Sequence, residues 1–240
     1  MTVAYDGTRY AGWQVQPNGM TVQEEIETAL RGLTSDRIIV HGSGRTDQGV
    51  HARGQVAHFD YGGPMTCAGL QRALNAVLPA EVRLRDLRET SPTFHARRSA
   101  VDKEYRYFIW NDVIVPPFVR LYRAQVPRRL DVARMQDVAA VLTGRHDFAA
   151  FTANPNRRVE STVRNLKRLQ VTRHGAEITI VAVGDGFLYK MVRSLAGFLI
   201  RAGEGVEDAS SAAAILASRT RTARVPTAAA EGLFLWKVNY

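Results

Sequence analysis

The stretch GFLYKMVRSLAGFLIRAG, residues 186–203, carries a strong helical signal. Leu188, Met191, Val192, Leu195, Phe198 and Leu199 recur at helical spacing and make one broad apolar face. Such a face must be buried against another layer. Its apolar centre, SLAGFLI, is closed by Arg193 and Arg201 and falls far short of the roughly 20 residues of a membrane span. A packed core in water, with no membrane partner, is the expectation. The opening residues MTVAYDG have neither a basic nor an apolar leader region, so a cytoplasmic location is the default. Cys67 is the one cysteine and can form neither an internal disulfide nor a zinc site.

Strand and helix signals alternate around this segment. VAYD (3–6), RIIVHGS (37–43), GQVAHFDY (54–61) and VRLRDL (82–87) read as strands. Between them, TVQEEIETALRGL (21–33) is a helix with Thr21 and Glu24 as a capping box and Val22, Ile26, Ala29, Leu30 and Leu33 inward. A second helix runs from about Thr66 to Leu78. Further on, EYRYFIWN (104–111), NLKRLQVTR with AEITIVAVG, and GLFLWKVNY read as strands. Asp131 caps a helix that ends at Gly144, and a long loop, RHDFAAFTANPNRRVEST, follows it. A short helix covers about Asp208 to Ala217. The pattern predicts an α+β fold in two halves, 1–95 and 96–240, each a mostly antiparallel sheet with helices on one face.

Charge narrows the partners. The net charge is +9, and 28 of the 32 basic residues are arginine. Arginine grips phosphate with a rigid fork and stacks on bases, so nucleic acid is the favoured partner. Arg97, Arg98, Arg157 and Arg158 are candidate phosphate contacts.

The segment GSGRTDQGVHARGQVAHF (42–59) raises the chemical question. It lacks the Gly-Lys-Ser/Thr ending of a phosphate-binding loop, and Asp47 stands where a dinucleotide fingerprint needs its third glycine. His41, His51 and His58 match no zinc spacing. Ser43 has no nucleophile-elbow frame. For a two-carboxylate glycosidase, nothing points at Asp6 or Asp60 as the partner acid. What remains is a single carboxylate, Asp47, two residues from Arg45. A nearby guanidinium favours the ionised acid, which suits a nucleophile better than a proton donor. A structural Asx-turn with a surface ion pair fits the same spacing.

Beyond spacing, the segment resembles the G-A-G-R-T-D-x-G-V-H-A signature of the tRNA pseudouridine synthase A (TruA) family. YDGTRYAGWQVQP with TVQEEIETAL, FHARRSAVDKEYRYFIWN, GRHDFAAF, FLYKMVRSLAG and EGLFLWKVNY resemble five further family segments in the same order. The resemblance implies a homodimeric isomerase that converts uridine to pseudouridine at positions 38, 39 and 40 of the tRNA anticodon stem-loop. It implies no metal and no cofactor, and two related halves around a central basic cleft. By motif position it makes Asp47 the catalytic aspartate, attacking ribose C1′ or uracil C6 or assisting sugar deprotonation. Arg45 would pair with Asp47 and help hold the flipped nucleotide. Tyr105 would stack on the target uracil, with removal of the C5 proton as its other candidate role. Leu233 would lie near the base, and Arg193 is the arginine of the M-V-R helix. Ser43 and Gln48 depart from the family pattern, and the chain opens almost directly on YDG, which shortens the expected first strand.

Overall fold

The computed structural model describes residues 1–153 and 159–240. Arg157 and Arg158 lie outside the described residues. The chain divides into two compact units, Met1–Val101 with Phe234–Tyr240, and Asp102–Leu233.

In the first unit, β1 (Thr2–Tyr5) pairs antiparallel with both β3 (His51–His58) and β4 (Val82–Asp86). The last strand, β10 (Leu233–Asn239), runs parallel to β3, with Phe234 beside His51 and Leu235 beside Ala52. By its place in the chain this strand is expected in the second half, 96–240. Pairing across the whole chain length puts it from Phe234 onward in the first unit, and the first unit's border falls at Val101 rather than residue 95.

Helix α1 (Val22–Thr34) starts where the Thr21 hydroxyl accepts from Glu24 N–H, and it buries Val22, Ile26 and Leu30. It also buries Gln23, whose amide holds two loops: Oε1 accepts from Val15 N–H, and Nε2 donates to Val40 O at 3.1 Å. Glu27 takes the Val40 N–H at 3.0 Å. Val40 is thus engaged by helix side chains. The stretch 37–43 forms only the two-residue strand β2 (His41–Gly42), paired with β3, instead of a full strand. Helix α2 (Cys67–Val77) caps on Thr66 and buries Leu70 and Leu74.

The second unit is built on β5 (Asp102–Trp110), β8 (Val163–His174) and β9 (Glu177–Gly184), paired antiparallel in the order β5-β9-β8. A short β6 (Ala124–Gln125) lies parallel to β5. Helix α3 (Val132–Leu142) is capped by Asp131, which accepts from Ala133 and Arg134 N–H. The stretch after Gly144, read from sequence as loop, begins with β7 (Gly144–Asp147) on β8 and a 3-10 turn, Ala149–Phe151. Phe148 and Phe151 are fully buried, and Phe151 meets Phe198 edge-on at 5.8 Å. Those two aromatic side chains pull the segment into the core.

Helix α4 (Met191–Gly203) starts later than periodicity suggests. Lys190 is left-handed, with φ 56°, which ends the preceding turn and resets the chain before Met191. Leu195, Phe198 and Leu199 face inward as expected. Helix α5 (Ala209–Ser218) opens on a full capping box between Asp208 and Ser211. Both units are α+β with mainly antiparallel pairing.

Candidate active site

The Asp47 loop is held by the N-terminal YDGTRYAGWQ segment. Trp13 is buried and donates its backbone N–H to Thr46 O at 3.1 Å. The hydroxyls of Tyr5 and Thr46 lie 2.8 Å apart in the interior. Two glycines make this approach feasible. Gly12 has φ +110°, and a Cβ there would stand 2.6 Å from Thr46 O. A Cβ on Gly42 would meet the Trp13 indole nitrogen at 2.5 Å. Neither close approach tolerates a side chain.

Behind the loop lies buried polar support. Gln55 is fully buried; its Nε2 donates to Gly44 O at 2.8 Å and its Oε1 accepts from Ser43 Oγ at 2.7 Å. The Ser43 hydroxyl, where the family pattern has alanine, therefore has a definite partner. At the far end, Val50 N–H donates to Asp47 O at 3.1 Å, and Gly49 takes φ 76°. Asp47 sits half-buried on a loop fixed before and after it, between buried Thr46 and exposed Gln48. Arg45 is exposed and donates from Nε to Gln14 Oε1 at 3.2 Å.

The histidines separate by role. His51 is fully buried, stacked on Phe234 at 4.6 Å, with Nδ1 near Gly7 N and Asp6 Oδ1. His58 is half-buried and hydrogen-bonded: its Nδ1 accepts from Ala96 N–H at 3.2 Å. His58 clusters with His41 and with His95, which sequence spacing did not associate with them. His95 Nδ1 in turn accepts from Arg97 and Arg98 N–H, and both arginine side chains are exposed. Among the described residues, no group of three or more His, Cys, Asp or Glu could hold a metal ion.

In the second unit, Tyr105 lies on β5 opposite Ala182, nearly buried, with its ring edge-on to Phe187 at 5.1 Å. Two residues on, Tyr107 points the same way and donates to Ala229 O at 3.0 Å. Burial pushes the Tyr107 phenol well above the ordinary tyrosine range, with Glu231 adding to the rise. The segment 228–233 also receives Arg193, whose Nε donates to Ala228 O at 2.8 Å, while Ala228 N–H returns a bond to Arg193 O. Gly197, one turn along α4, makes room for it: a Cβ there would lie 2.3 Å from Pro226 O. Leu233 is buried at the end of this segment and bonded through its N–H to Ala230 O. Tyr107 and the alanines 228–230 gave no separate signal in the sequence, because a strand tyrosine and a short alanine run look structural.

The family profile described as tRNA pseudouridine synthase matches residues 1–97 and 138–240. The chain belongs to the tRNA pseudouridine synthase family. This is a family of isomerases. Curated relatives named tRNA pseudouridine synthase A are similar along their whole length. The one from Geotalea uraniireducens is 41% identical over all of this chain and 98% of its own length. The one from Brevibacillus brevis is 43% identical over 99% of this chain and 97% of its own. A relative from Protochlamydia amoebophila, tRNA pseudouridine synthase A 1, is 39% identical over 100% of this chain and 95% of its own. Within the pseudouridine synthase match fall Arg45, Asp47, Arg193 and Leu233; Tyr105 lies between the two matched stretches.

Proposed function

We propose that the protein isomerises uridine to pseudouridine in the anticodon stem-loop of tRNA, at positions 38, 39 and 40, with Asp47 as its catalytic carboxylate. The observation that carries this reading is the anchored loop. Thr46 is fixed through its backbone to Trp13 and through its side chain to Tyr5, and Asp47 follows at once. Preorganising a reacting group on a fixed scaffold lowers the cost of reaching the reactive geometry.

The reaction breaks the N1–C1′ bond and forms a C5–C1′ bond. C5 loses its proton to solvent and N1 gains one from solvent, so the reaction is redox-neutral with no net release, and no cofactor is required. A uridine in a stem is stacked and must be flipped out first, at a cost of a few kcal/mol. Arg45 holds the flipped nucleotide. We assign Tyr105 the stacking role, since its ring is braced by Phe187 and by the sheet. Leu233 adds an apolar contact near the base, and Arg193 joins them through the α4 helix. Exposed Arg97 and Arg98 grip backbone phosphates, reading the A-form stem by shape. The working form is a cytoplasmic homodimer. No helix among the described residues is long and apolar enough to cross a membrane.

The test is incubation with an unmodified tRNA transcript carrying uridines at 38, 39 and 40, followed by carbodiimide labelling and primer extension. Stops confined to those positions support the proposal; conversion elsewhere, or none, contradicts it. Light scattering of the purified protein reads the dimer.

A further inference from the structure

The geometry points to Gln14 as a positioning residue for Arg45, an assignment that rests on the role proposed for Arg45 at the flipped nucleotide. Gln14 Oε1 accepts from Arg45 Nε at 3.2 Å. The encounter is built by the backbone on either side. Before Gln14, Trp13 is tied to Thr46 O. After it, Val15 donates its N–H to the buried Gln23 amide at 3.0 Å. Gln16 closes the same loop by donating from Nε2 to Ala11 O at 2.6 Å. Gln14 is therefore bracketed by anchored residues and brought beside the residue that precedes Thr46.

The choice of an amide has a chemical reason. An exposed arginine samples many rotamers, and an acceptor at Nε fixes the plane of its guanidinium fork. Nε–H is one of five donors, so the terminal amino groups lie outside this contact. A neutral acceptor orients the fork without cancelling its charge. A carboxylate in the same place would orient it equally and compete with a phosphate for it.

The test is a double-mutant cycle on single-turnover conversion of the tRNA transcript, with tRNA Kd measured in parallel. Gln14→Ala is expected to slow conversion about tenfold at saturating enzyme while Kd changes less than about twofold, a split that points to lost orientation. In an Arg45→Ala background, Gln14→Ala is expected to add nothing. Gln14→Glu is expected to restore the rate at saturation and to weaken tRNA binding. The contact itself is read without activity: the Arg45 Nε–H resonance should be protected from exchange in the wild type and in Gln14→Glu, and lose protection in Gln14→Ala. Wild-type conversion by Gln14→Ala, the same loss with or without Arg45, or unchanged Nε–H protection would overturn the assignment. Failure of the underlying reading looks different: then the wild type forms no pseudouridine, or Arg45→Ala converts tRNA as fast as the wild type, whatever the resonance shows.

Discussion

Tyr5 and Thr46 share a buried contact, 2.8 Å between their side-chain oxygens, at the residue immediately before Asp47. Burial pushes the Tyr5 phenol well above the ordinary tyrosine range. It therefore stays protonated and keeps its hydrogen-bonding proton throughout the working pH range. Tyr5→Phe removes one partner and leaves the other oxygen in the interior. The expected cost is about 1 kcal/mol, read as a drop of roughly 3 °C in Tm. Because Thr46 adjoins Asp47, turnover should fall by more than this loss of stability explains. A Tyr5→Phe variant with lowered Tm and wild-type turnover would detach the contact from the site.

Gly12 and Gly32 make a matched pair. At Gly12, φ is +110° and Thr46 O occupies the place of a Cβ. Gly12→Ala should therefore cost more than about 1 kcal/mol and displace the Asp47 loop, with both Tm and activity falling. Gly32 lies on the exposed side of α1, and a Cβ there meets nothing within 4 Å. Gly32→Ala should stabilise by roughly 0.5–1 kcal/mol and leave turnover alone. Thermal melts and initial rates of the two variants, side by side, check both.

The histidine cluster gives the first unit an acid limit. Burial holds the His58 pKa below its ordinary value, and the neighbouring His95 and His41 lower it further. The folded state then binds fewer protons than the unfolded chain. Its stability is intact above the unfolded pKa, about 6.5, and is lost as pH falls from there through the lower folded pKa. Protonation also takes the Nδ1 acceptor from Ala96 N–H. Hydrogen exchange at Ala96 should accelerate as pH falls below that of neutral histidine, after correction for intrinsic rates. In His58→Phe, which has no proton to gain, the Tm should lose its slope across that window. An unchanged slope would refute this account.

Glu207 plays a similar part in the second unit. Burial alone would raise its pKa. Hydrogen bonds from Arg224 and Ser211, with the charges of Arg224 and Arg201, outweigh burial and hold the carboxyl below its usual range. Stability from this group is present above the unfolded pKa, near 4.5, and is lost as pH falls through the folded value. Arg224 donates to Glu207 Oε1 at 3.0 Å, and Arg201 lies 3.4 Å from the same oxygen. Arg224→Ala should lower stability, read as a lower urea midpoint at pH 7. The difference from wild type should shrink as pH falls from the unfolded pKa through the lower folded one, where Glu207 takes up its proton.

Local signals were legible in the sequence, and contacts between distant segments were not. The Thr21 cap, the apolar face of α4 and the Asp131 cap are properties of a few adjacent residues, and the structure has all three. The Asp47 loop stood out through its own glycines. That Tyr5, Gly12 and Trp13 hold it depends on a contact between segments more than thirty residues apart in sequence, which periodicity does not encode. RIIVHGS reads as a strand from its β-branched residues, yet Gln23 and Glu27 take the Val40 backbone instead. β10 had the right pattern, but nothing in it names β3 as its parallel neighbour. Gln14 was visible only as part of a motif; its contact with Arg45 needs the folded loop.

In the proposed reaction the Asp47 carboxylate carries out the chemistry. This role is tested most directly by tritium release from tRNA containing C5-tritiated uridine, comparing the wild type with Asp47→Asn and measuring tRNA binding by both. Release is expected from the wild type without added metal or nucleotide, no release from Asp47→Asn, and closely similar binding by both. Release by Asp47→Asn at the wild-type rate, or loss of binding and release together, would contradict that role.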